Sequence, residues 1–580
     1  MGRAIGMDQF GMDHFGMDRT DSTSTPVVVG RKPQDRSADV GARVALVRPP
    51  IVIFPRSLSS YGPVPPIGLA YIAAVLRDAG HDVSVIDASA EGIDRAEDFD
   101  TPVGRLRRVG LSPVEIADRL PDDVQMVGIT HMFLHEWPQA REVATCIRER
   151  FPDATIVLGG ENATAFHQRI LEECPAVDAC VLGEGEATAL AVADRVAAGL
   201  GLGGLAGVAL RGSDDDVPAT LSTRLRKLDG VPRPAWDLFP LDRYWEYSDF
   251  FGVHRGRSIP VLGTRGCPYR CSFCSSPQMW TTRYVVRDPE DVADEIAGYV
   301  RDYGIESVNF CDLTAATKRS WTLGFCDAIE ARVEDLEWQI PVGSRSEILD
   351  EEVLRRLHET GCRYITYAPE SGSDRMLEIY DKRVRLPAML ESLATAHRVG
   401  LRTRINIIIG HPAEQWADIW KSARFLIRAA RAGCDDAAVI MFCPYPGSAD
   451  YEALVDSGRL VVDESSYYVG ISRTSSTHES YNDRMSARSL RAVQLALVSL
   501  FYGLGLVLHP RRILEYVQAQ RTGEERTFLD QLVRIKWRGF RSSSRRAVVR
   551  RSPRLRTSDS GVTPPEPTAD PERGDAVRVV

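Results

Sequence analysis

Short apolar runs alternate with helical patterns along the first part of the chain. Runs at 44–47, 83–87, 126–130, 155–158 and 179–182 predict strands. Apolar spacing, N-cap and C-cap residues predict helices at 67–79, from Ser112-Pro113 to Leu120, and at 138–150, 163–173 and 186–198. Strands joined by helical crossovers form a parallel sheet covered on both faces, so we predict a Rossmann-like α/β domain at 41–200.

A second strand and helix series follows. Strands are predicted at 261–264, 307–310, 338–342, 363–367, 403–409 and 437–442, and helices at 288–303, 319–333, 350–360, 386–399 and 414–432. Because no hairpin signals interrupt these steps, the pattern predicts a partial (β/α)6 TIM-type barrel at 253–487. Functional residues of such a barrel lie at the carboxyl ends of its strands.

The remaining segments differ in composition. Residues 1–40 contain a short repeat and residues 541–580 are polar, so we predict that both are disordered tails. Residues 201–252 are interrupted by prolines, and we predict that they form a connector. Residues 488–540 predict a small helical C-terminal region. Its apolar stretch 492–508 is shorter than the ~20 residues of a spanning helix, so we predict a buried helix. A membrane-surface helix flanked by Arg491, Arg511 and Arg512, with peripheral membrane contact, is the alternative.

Composition narrows the class of protein. The length of 580 residues predicts two to four domains, and a net charge of −9 without a basic, aromatic-interleaved stripe argues against nucleic-acid binding. Eleven cysteines, an odd and sparse set, fit a reducing compartment rather than a disulfide scaffold. The N-terminus lacks a basic segment followed by an apolar core, so we expect a cytoplasmic protein.

Three of the cysteines are clustered in one loop. Cys267, Cys271 and Cys274 have C-x₃-C-x₂-C spacing directly after the first strand of the second series. Closed iron–sulfur and structural zinc sites usually take four ligands, so three thiolates suit a metal cluster with one open position. A zinc site with its fourth ligand elsewhere in the chain is the alternative.

Other chemistry-bearing residues follow the predicted strands. Asp312 comes after the second strand of the barrel, Arg345 near the third and Glu370 after the fourth. In the first domain, the strand ends carry Pro65-Pro-Ile-Gly68, Gly159-Gly-Glu-Asn162 and Gly183-Glu-Gly-Glu186. Glycine lets a backbone approach a large flat ligand closely, and ligands of open α/β sheets bind at the carboxyl ends of the strands.

The cysteine motif and the strand-end residues of the barrel together resemble the radical S-adenosylmethionine (radical SAM) enzymes. The motifs Pro-Pro-Ile-Gly-Leu-Ala-Tyr, Val-Leu-Gly-Gly and Leu-Gly-Glu-Gly-Glu resemble the cobalamin-binding domain that precedes many radical SAM cores. The resemblance implies that Cys267, Cys271 and Cys274 hold a [4Fe-4S] cluster. It implies contacts to S-adenosylmethionine from Phe273, Asp312, Arg345 and Glu370, and contacts to cobalamin from Pro66, Gly68, Thr130, Gly159, Gly160, Glu161, Gly183 and Gly185.

One feature departs from the pattern of cobalamin mutases. The loop after the first strand, at 48–62, contains no histidine, which implies a cobalamin without a protein histidine below the cobalt. His131 and His135 follow another strand and could approach the ring, but we interpret both as ordinary loop histidines.

The resemblance implies a cobalamin-dependent radical SAM C-methyltransferase that acts on an unactivated carbon of a small molecule, in secondary metabolism. A flavodoxin or ferredoxin would supply the electron. The first alternative is an oxidative cyclase or rearranging enzyme that uses cobalamin without methyl transfer, and the second is a non-catalytic cobalamin-binding sensor. The substrate would lie between the two domains, where Trp280, His411 and Tyr445 are candidates to line the space.

Overall fold

The computed structural model describes residues 41–54, 63–212, 220–228, 230–247, 252–253, 255–472, 479–522 and 525–531. The predicted tails at 1–40 and 541–580 lie outside the described residues, as do part of the 48–62 loop and the end of the predicted region 488–540. All the described residues belong to a single unit, Met1–Gln531.

The first domain contains the predicted α/β sheet. Its strands are β1 (Arg43–Arg48), β2 (Ile51–Ile53), β3 (Asp82–Asp87), β4 (Ala96–Thr101), β5 (Gly104–Val109), β6 (Met126–Thr130), β7 (Thr155–Gly159), β8 (Ala179–Val181) and β9 (Val208–Leu210). Its helices, with those of the following connector, are α1 (Ile67–Asp78), α2 (Ala88–Glu91), α3 (Pro113–Arg119), α4 (Trp137–Arg150), α5 (Glu161–Ala165), α6 (His167–Glu173), α7 (Gly185–Ala197) and α8 (Leu241–Tyr247). The sheet order is β3-β1-β6-β7-β8-β9 among the described strands.

The five predicted strands of this sheet are confirmed and run parallel, and three features differ from the prediction. β9 joins the sheet antiparallel to β8 from within the predicted connector. A small antiparallel sheet, β2-β5-β4, escaped prediction because ion pairs such as Asp98–Arg107 (2.5 Å) replace apolar runs. The prediction of a single helix at 163–173 is wrong, because the backbone leaves helical geometry at Phe166, which separates α5 from α6.

The second domain is the predicted partial barrel. Its strands are β10 (Ser258–Val261), β11 (Thr264–Arg265), β12 (Val285–Val286), β13 (Ser307–Phe310), β14 (Glu337–Ser344), β15 (Cys362–Glu370), β16 (Arg402–Ile409) and β17 (Asp436–Met441). Its helices are α9 (Ser276–Trp280), α10 (Pro289–Tyr303), α11 (Arg319–Glu330), α12 (Glu351–Glu359), α13 (Asp374–Ile379), α14 (Leu386–Val399) and α15 (Trp416–Arg431). The described main sheet has the order β10-β13-β14-β15-β16-β17, with every pair parallel.

The first barrel strand lies three residues earlier than predicted. The prediction of 261–264 is wrong because β10 ends at Val261, and Thr264 and Arg265 instead pair antiparallel with β12. The cysteine loop therefore begins at the end of this short hairpin strand. Phe310 of β13, Phe325 of α11 and Trp338 of β14 pack edge-to-face against one another, with ring centroids 5.2–5.5 Å apart.

The chain after β17 forms helices α16 (Ala449–Asp456), α17 (Glu464–Tyr467), α18 (Val469–Ser472), α19 (Ala487–Leu508) and α20 (Arg511–Thr522). α17 returns to the first domain, where the Tyr467 hydroxyl donates to Glu173 (2.5 Å). α19 packs on the last barrel strand: the Gln494 amide donates to the Val439 carbonyl (2.6 Å) and the Tyr502 hydroxyl to Asp436 (3.0 Å). The prediction of a helix too short to span a bilayer is wrong, because α19 begins at the Ser486 N-cap and has 22 residues.

One core extends through both domains. The face of the first sheet that carries α1 and α7 belongs to the same cluster of buried residues as the layer between the barrel strands and their helices, and Trp236 and Phe239 of the connector belong to it as well. The opposite face, under α3, α4 and α6, forms a separate core. The shared core sets the position of the first sheet relative to the barrel, and with it the position of the loops that follow their strands.

Candidate functional site

The cysteine loop lies at the carboxyl end of the barrel sheet. Cys267, Cys271 and Cys274 are partly exposed free thiols, and the protein's other eight cysteines are free as well. No three His, Cys, Asp or Glu side chains among the described residues are close enough together to hold a single metal ion. The three thiols are therefore spaced more widely than the ligands of one ion.

Asp450 holds the middle of the loop. Its carboxylate accepts from the Ser272 hydroxyl (3.0 Å), and its backbone N–H donates to the Ser272 carbonyl (3.0 Å). Nε2 of His411 lies 3.2 Å from the same carboxylate oxygen, with its ring edge-on to Tyr380 and Phe442. His411 is thus buried against the residue that supports the loop, and its assignment as a residue that lines the substrate space stays a prediction.

Glu161 of the first domain holds the end of the loop. Its Oε1 accepts from the hydroxyl of Ser275, the residue after Cys274, at 2.5 Å. Burial raises the pKa of Glu161 above its usual range. α5, which Glu161 begins, packs on α9, and a Cβ added at Gly447 after β17 would lie 2.9 Å from that of Ala165. The carboxyl ends of the two sheets therefore face each other across the cysteine loop.

Arg265 anchors the start of the loop, two residues before Cys267. Its guanidinium lies 2.9 Å from Glu184 and 2.6 Å from Glu186, and it stacks 4.7 Å from the centre of the Tyr71 ring. Burial alone would lower the pKa of Arg265, but the two carboxylates outweigh it and raise the pKa. The Gly183-Glu-Gly-Glu186 loop, which we predicted as a cobalamin contact, thus also fastens the first domain to the barrel.

Two cations face the thiols. Burial raises the pKa of Cys267, while Lys382 and Arg345 act against it. Lys382 also pairs with Glu370 (3.3 Å), and the Arg345 guanidinium stacks 3.6 Å from the centre of the Tyr269 ring within the loop. Three partly exposed thiols in one loop, beside two cations, fit an anionic, thiolate-ligated cluster.

The predicted S-adenosylmethionine residues lie around this loop in different settings. Asp312 is buried, accepts from the Gly263 N–H (3.3 Å) and the Thr264 hydroxyl, and has its pKa raised to about 6 by burial. Glu370 has φ +64°, an uncommon backbone conformation that clusters at functional sites. Phe273 packs edge-on against Tyr380 at 5.2 Å. Their assignment as ligand contacts stays a prediction.

The predicted cobalamin residues divide into open and packed positions. A Cβ added at Gly68 would meet no atom within 4 Å, and at Gly159 only Val181 at 3.8 Å. Gly160 is packed against the His131 carbonyl, Gly183 donates its N–H to Thr164 (2.9 Å) and Gly185 lies against Ile72. Pro66 precedes α1, and Thr130 ends β6.

An apolar surface follows β6 at the same edge. Met132 and Phe133 are 40% and 55% exposed beside the open backbone at Gly159. Open glycine backbone and exposed apolar side chains together fit a large flat ligand. The sequence motifs did not include these two residues, although apolar residues directly after a buried strand could have indicated a ligand surface.

His131 is buried in this region. Its Nε2 lies 3.3 Å from the Asn162 amide nitrogen, and burial lowers its pKa to about 3, so the ring is neutral. Its ring also leans on Trp137, with centroids 5.5 Å apart. These contacts agree with our interpretation of His131 as an ordinary loop histidine.

The family comparisons agree with this geometry. Residues 261–426 match the model of the radical SAM superfamily, and residues 56–193 match the B12 binding domain. The chain therefore carries a radical SAM domain, preceded by a B12-binding domain. It is therefore an enzyme whose cofactors are a [4Fe-4S] cluster, S-adenosylmethionine and cobalamin, so neither the zinc site nor the non-catalytic sensor is retained.

Individual relatives extend over most of the chain. An uncharacterized methyltransferase of Pyrococcus horikoshii is 27% identical over 72% of this chain and 84% of its own length. The anaerobic magnesium-protoporphyrin IX monomethyl ester cyclase of Rubrivivax gelatinosus is 27% identical over 68% and 66%. The structure of the radical S-adenosylmethionine methyltransferase TsrM from Kitasatospora setae, with cobalamin and a [4Fe-4S] cluster bound, has the same fold. It superimposes with a TM-score of 0.58 at 17% identity, over 79% of this chain and 91% of that one.

Glu414, in the loop after β16, has a pH-dependent role in stability. The Gly410 N–H donates to its Oε2 (2.5 Å), and its Oε1 has no hydrogen-bond partner among the described residues. Burial raises the pKa of Glu414 from 4.5 to about 8. The folded protein therefore keeps this carboxyl neutral over a pH range in which the unfolded chain ionises it, and its stability falls as the pH rises through that range.

We expect Glu414→Gln, which is neutral at every pH, to stabilise the protein relative to wild type at high pH and to change little near pH 4.5. At about 1.4 kcal/mol per pKa unit the upper bound is about 5 kcal/mol, and local relaxation would leave a few kcal/mol. Thermal unfolding of both proteins at both ends of the range measures the difference, with the exposed Glu452→Gln as control. An equal shift at both ends would contradict the expectation.

Proposed function

We propose that this protein is a cobalamin-dependent radical SAM methyltransferase that places a methyl group on an unactivated carbon of a small molecule. The observation that carries the proposal is the 2.5 Å contact between Glu161 and Ser275, which joins the Gly159-Gly-Glu-Asn162 loop to the cysteine loop. A methyl carrier and a radical source must share one substrate space, and this contact brings their two loops together.

Each group of residues has a separate task in this proposal. Cys267, Cys271 and Cys274 would hold the cluster, and Asp450, Glu161 and Arg265 orient the loop that carries them. When bound, the cofactors would supply a radical that removes hydrogen from carbon and a methyl group that replaces it. Lys382 and Arg345 favour negative charge at the loop, and the core shared by the two domains keeps their facing edges in a fixed arrangement.

The substrate space lies between Met132 and Phe133 of the first domain and the loops after the barrel strands. Two of the predicted lining residues have other contacts: Trp280 stacks 4.9 Å from Arg224, and His411 faces Asp450. Tyr445 packs against a cluster of buried residues that includes Phe442, Cys443 and Tyr451, and it lies close to Gly470. Tyr445 therefore stays a candidate to contact substrate.

A second candidate function uses the same cofactors without methyl transfer. This second function is supported by the similarity of about two thirds of the chain to an anaerobic magnesium-protoporphyrin IX monomethyl ester cyclase. The two functions differ in the fate of the methyl group of S-adenosylmethionine, because a cyclase leaves that group where it is.

The test is anaerobic incubation of the reconstituted, reduced protein with methyl-deuterated S-adenosylmethionine and candidate substrates. We expect S-adenosylhomocysteine to accumulate and the product to gain the mass of one deuterated methyl group. Formation of 5′-deoxyadenosine without S-adenosylhomocysteine, and an unlabelled product, would favour the cyclase instead.

Three further assignments belong to the same proposal. A flavodoxin or ferredoxin supplies the electron, because a cluster held by the three partly exposed loop cysteines would need an external one-electron donor. The setting is the cytoplasm, which is consistent with eleven free thiols and no disulfide among the described residues. The pathway belongs to secondary metabolism.

A further inference from the structure

The inner side of the barrel sheet, which we call the lumen, is partly open. On β16, Ile405 and Ile407 are buried in the core between the strands and their helices, and Asn406 between them is partly exposed. Side chains alternate between the two faces of a strand, so Asn406 faces the lumen. β17 repeats the pattern, with Ala438 and Ile440 partly exposed. Because the interior of a complete barrel is normally packed with bulky side chains, this exposure indicates space that a ligand can reach.

Three side chains that face the lumen have polar atoms without a partner. They are Nδ2 of Asn309 in β13, Oγ1 of Thr366 in β15 and Oδ1 of Asn406 in β16, which are buried and have no hydrogen-bond partner among the described residues. Asn309 and Thr366 are each 1% exposed. Their neighbours along the three strands belong to the core on the opposite face: Val308, Phe310, Ile365, Tyr367, Ile405 and Ile407. A buried polar group without a partner costs about 1–3 kcal/mol, so these three groups need a ligand or water to complete them.

The lumen is closed at its lower end. The Gln339 amide donates to Oδ1 of Asn309 (2.7 Å) and to the Val253 carbonyl (2.7 Å). The Arg404 guanidinium stacks 4.2 Å from the centre of the Phe528 ring. The open end therefore lies at the carboxyl ends of the strands, on the side of the cysteine loop.

The charged residues above and below the three polar groups have opposite charges close by. Glu370, at the upper end of β15, pairs with Lys382 (3.3 Å). Burial raises the pKa of Asp436, at the lower end of β17, and the nearby charge of Arg404 opposes that rise. An anionic ligand would find no unpaired cation among these residues. A hydrocarbon would leave all three polar groups without a partner, and a site of that kind discriminates strongly against it.

We propose that Asn309, Thr366 and Asn406 select the substrate by an uncharged group that both donates and accepts hydrogen bonds, such as a carboxamide. This group enters the lumen, and the carbon to be methylated stays at the open end. The inference rests on the proposed function, because it describes a part of the same substrate. A carboxamide supplies a carbonyl for the Asn309 N–H, and N–H groups for the Thr366 hydroxyl and the Asn406 carbonyl.

The test compares three fragments that share a phenyl ring: benzamide, benzoate and toluene. Saturation-transfer NMR measures their binding to the full-length protein loaded with its cluster and cobalamin, with and without S-adenosylmethionine. We expect benzamide to bind more tightly than the other two fragments in both conditions. The measurement needs no turnover, so a protein that fails to methylate any substrate still gives a clear result here.

Two variants remove one polar group each. Thr366→Val and Asn406→Leu should each weaken benzamide binding about threefold to tenfold, which corresponds to one neutral hydrogen bond, and should strengthen toluene binding. Thr403→Val is the matched control. Its Oγ1 is also buried without a partner among the described residues, but Thr403 lies on the helix-facing side of β16, so fragment binding should not change.

Thermal unfolding separates a binding role from a structural one. A hydroxyl without a partner does not stabilise the fold, so Thr366→Val should keep the unfolding midpoint of wild type. The proposal is overturned if benzamide binds wild type no better than benzoate and toluene, or if both lumen variants bind benzamide as wild type does. Ordered water would then be the only occupant of the lumen. It is also overturned if saturating S-adenosylmethionine displaces benzamide, because the lumen would then belong to the site of that cofactor.

Discussion

Replacing any one of Cys267, Cys271 and Cys274 with alanine is expected to remove the cluster and to reduce 5′-deoxyadenosine formation to background. Three thiols would hold three of the four irons, so one iron of the intact cluster has no protein ligand. The loss of one thiol would leave a second iron without one. The cluster absorbance after anaerobic reconstitution and the yield of 5′-deoxyadenosine measure the two effects.

Cobalamin binding should survive these substitutions. The open glycine backbone at Gly68 and Gly159 belongs to the first domain, one face of which has a core of its own. Cys146→Ala, in α4 of that domain, is the matched control and should keep both cofactors. If a single loop variant kept the full yield of 5′-deoxyadenosine, that cysteine would not be a cluster ligand.

The second large effect is expected from Arg265→Met. The substitution keeps an unbranched side chain but removes the guanidinium between Glu184 and Glu186, which are both nearly fully buried. Glu184 keeps its contact with Arg224 (3.3 Å), whereas Glu186 loses its guanidinium partner. Breaking a buried ion pair by removing one partner costs about 3–5 kcal/mol, because the remaining charge stays desolvated. We expect a large fall in the midpoint of urea unfolding, and weaker retention of the cluster because this anchor lies two residues from Cys267.

Two further variants distinguish an unpaired charge from lost packing. Arg301→Met removes an exposed arginine paired with Asp302 and should leave the midpoint almost unchanged. Adding Glu186→Gln to Arg265→Met should restore part of the loss, because it removes the carboxylate left without a partner while Glu184 keeps its contact with Arg224 (3.3 Å). A double variant less stable than Arg265→Met alone would contradict the ion-pair explanation. Midpoints are compared because a chain of this size need not unfold in a single step.

The sequence predicted the two sheets well for a physical reason. Strands such as 44–47 and 155–158 are buried on both faces and consist of nearly continuous apolar residues, while caps such as Ser112 and Gly304 mark helix ends. Strands whose pairing depends on charge, such as β4 and β5, or on three residues, such as β9, carry no such pattern. Helix α19 was underestimated because its first turn, from Ala487, is polar and is determined by its N-cap.

The sequence identifies the cysteine loop of the candidate site but not the residues that support it. Cysteine spacing is a local property of the chain, so the loop could be identified from the sequence. The residues that hold it are Glu161, 114 positions from Ser275, and Asp450, 178 positions from Ser272. Contacts across such separations depend on how the two sheets face each other, which no local pattern encodes.

The most direct test of the central claim is the formation of 5′-deoxyadenosine by the wild-type protein. The chain would be reconstituted anaerobically with iron, sulfide and cobalamin, reduced, and mixed with S-adenosylmethionine. We predict about four irons and one cobalamin bound per chain, and 5′-deoxyadenosine well above the level of the variant that lacks all three loop cysteines. A protein fully loaded with iron and cobalamin that forms no more 5′-deoxyadenosine than this variant would contradict the account.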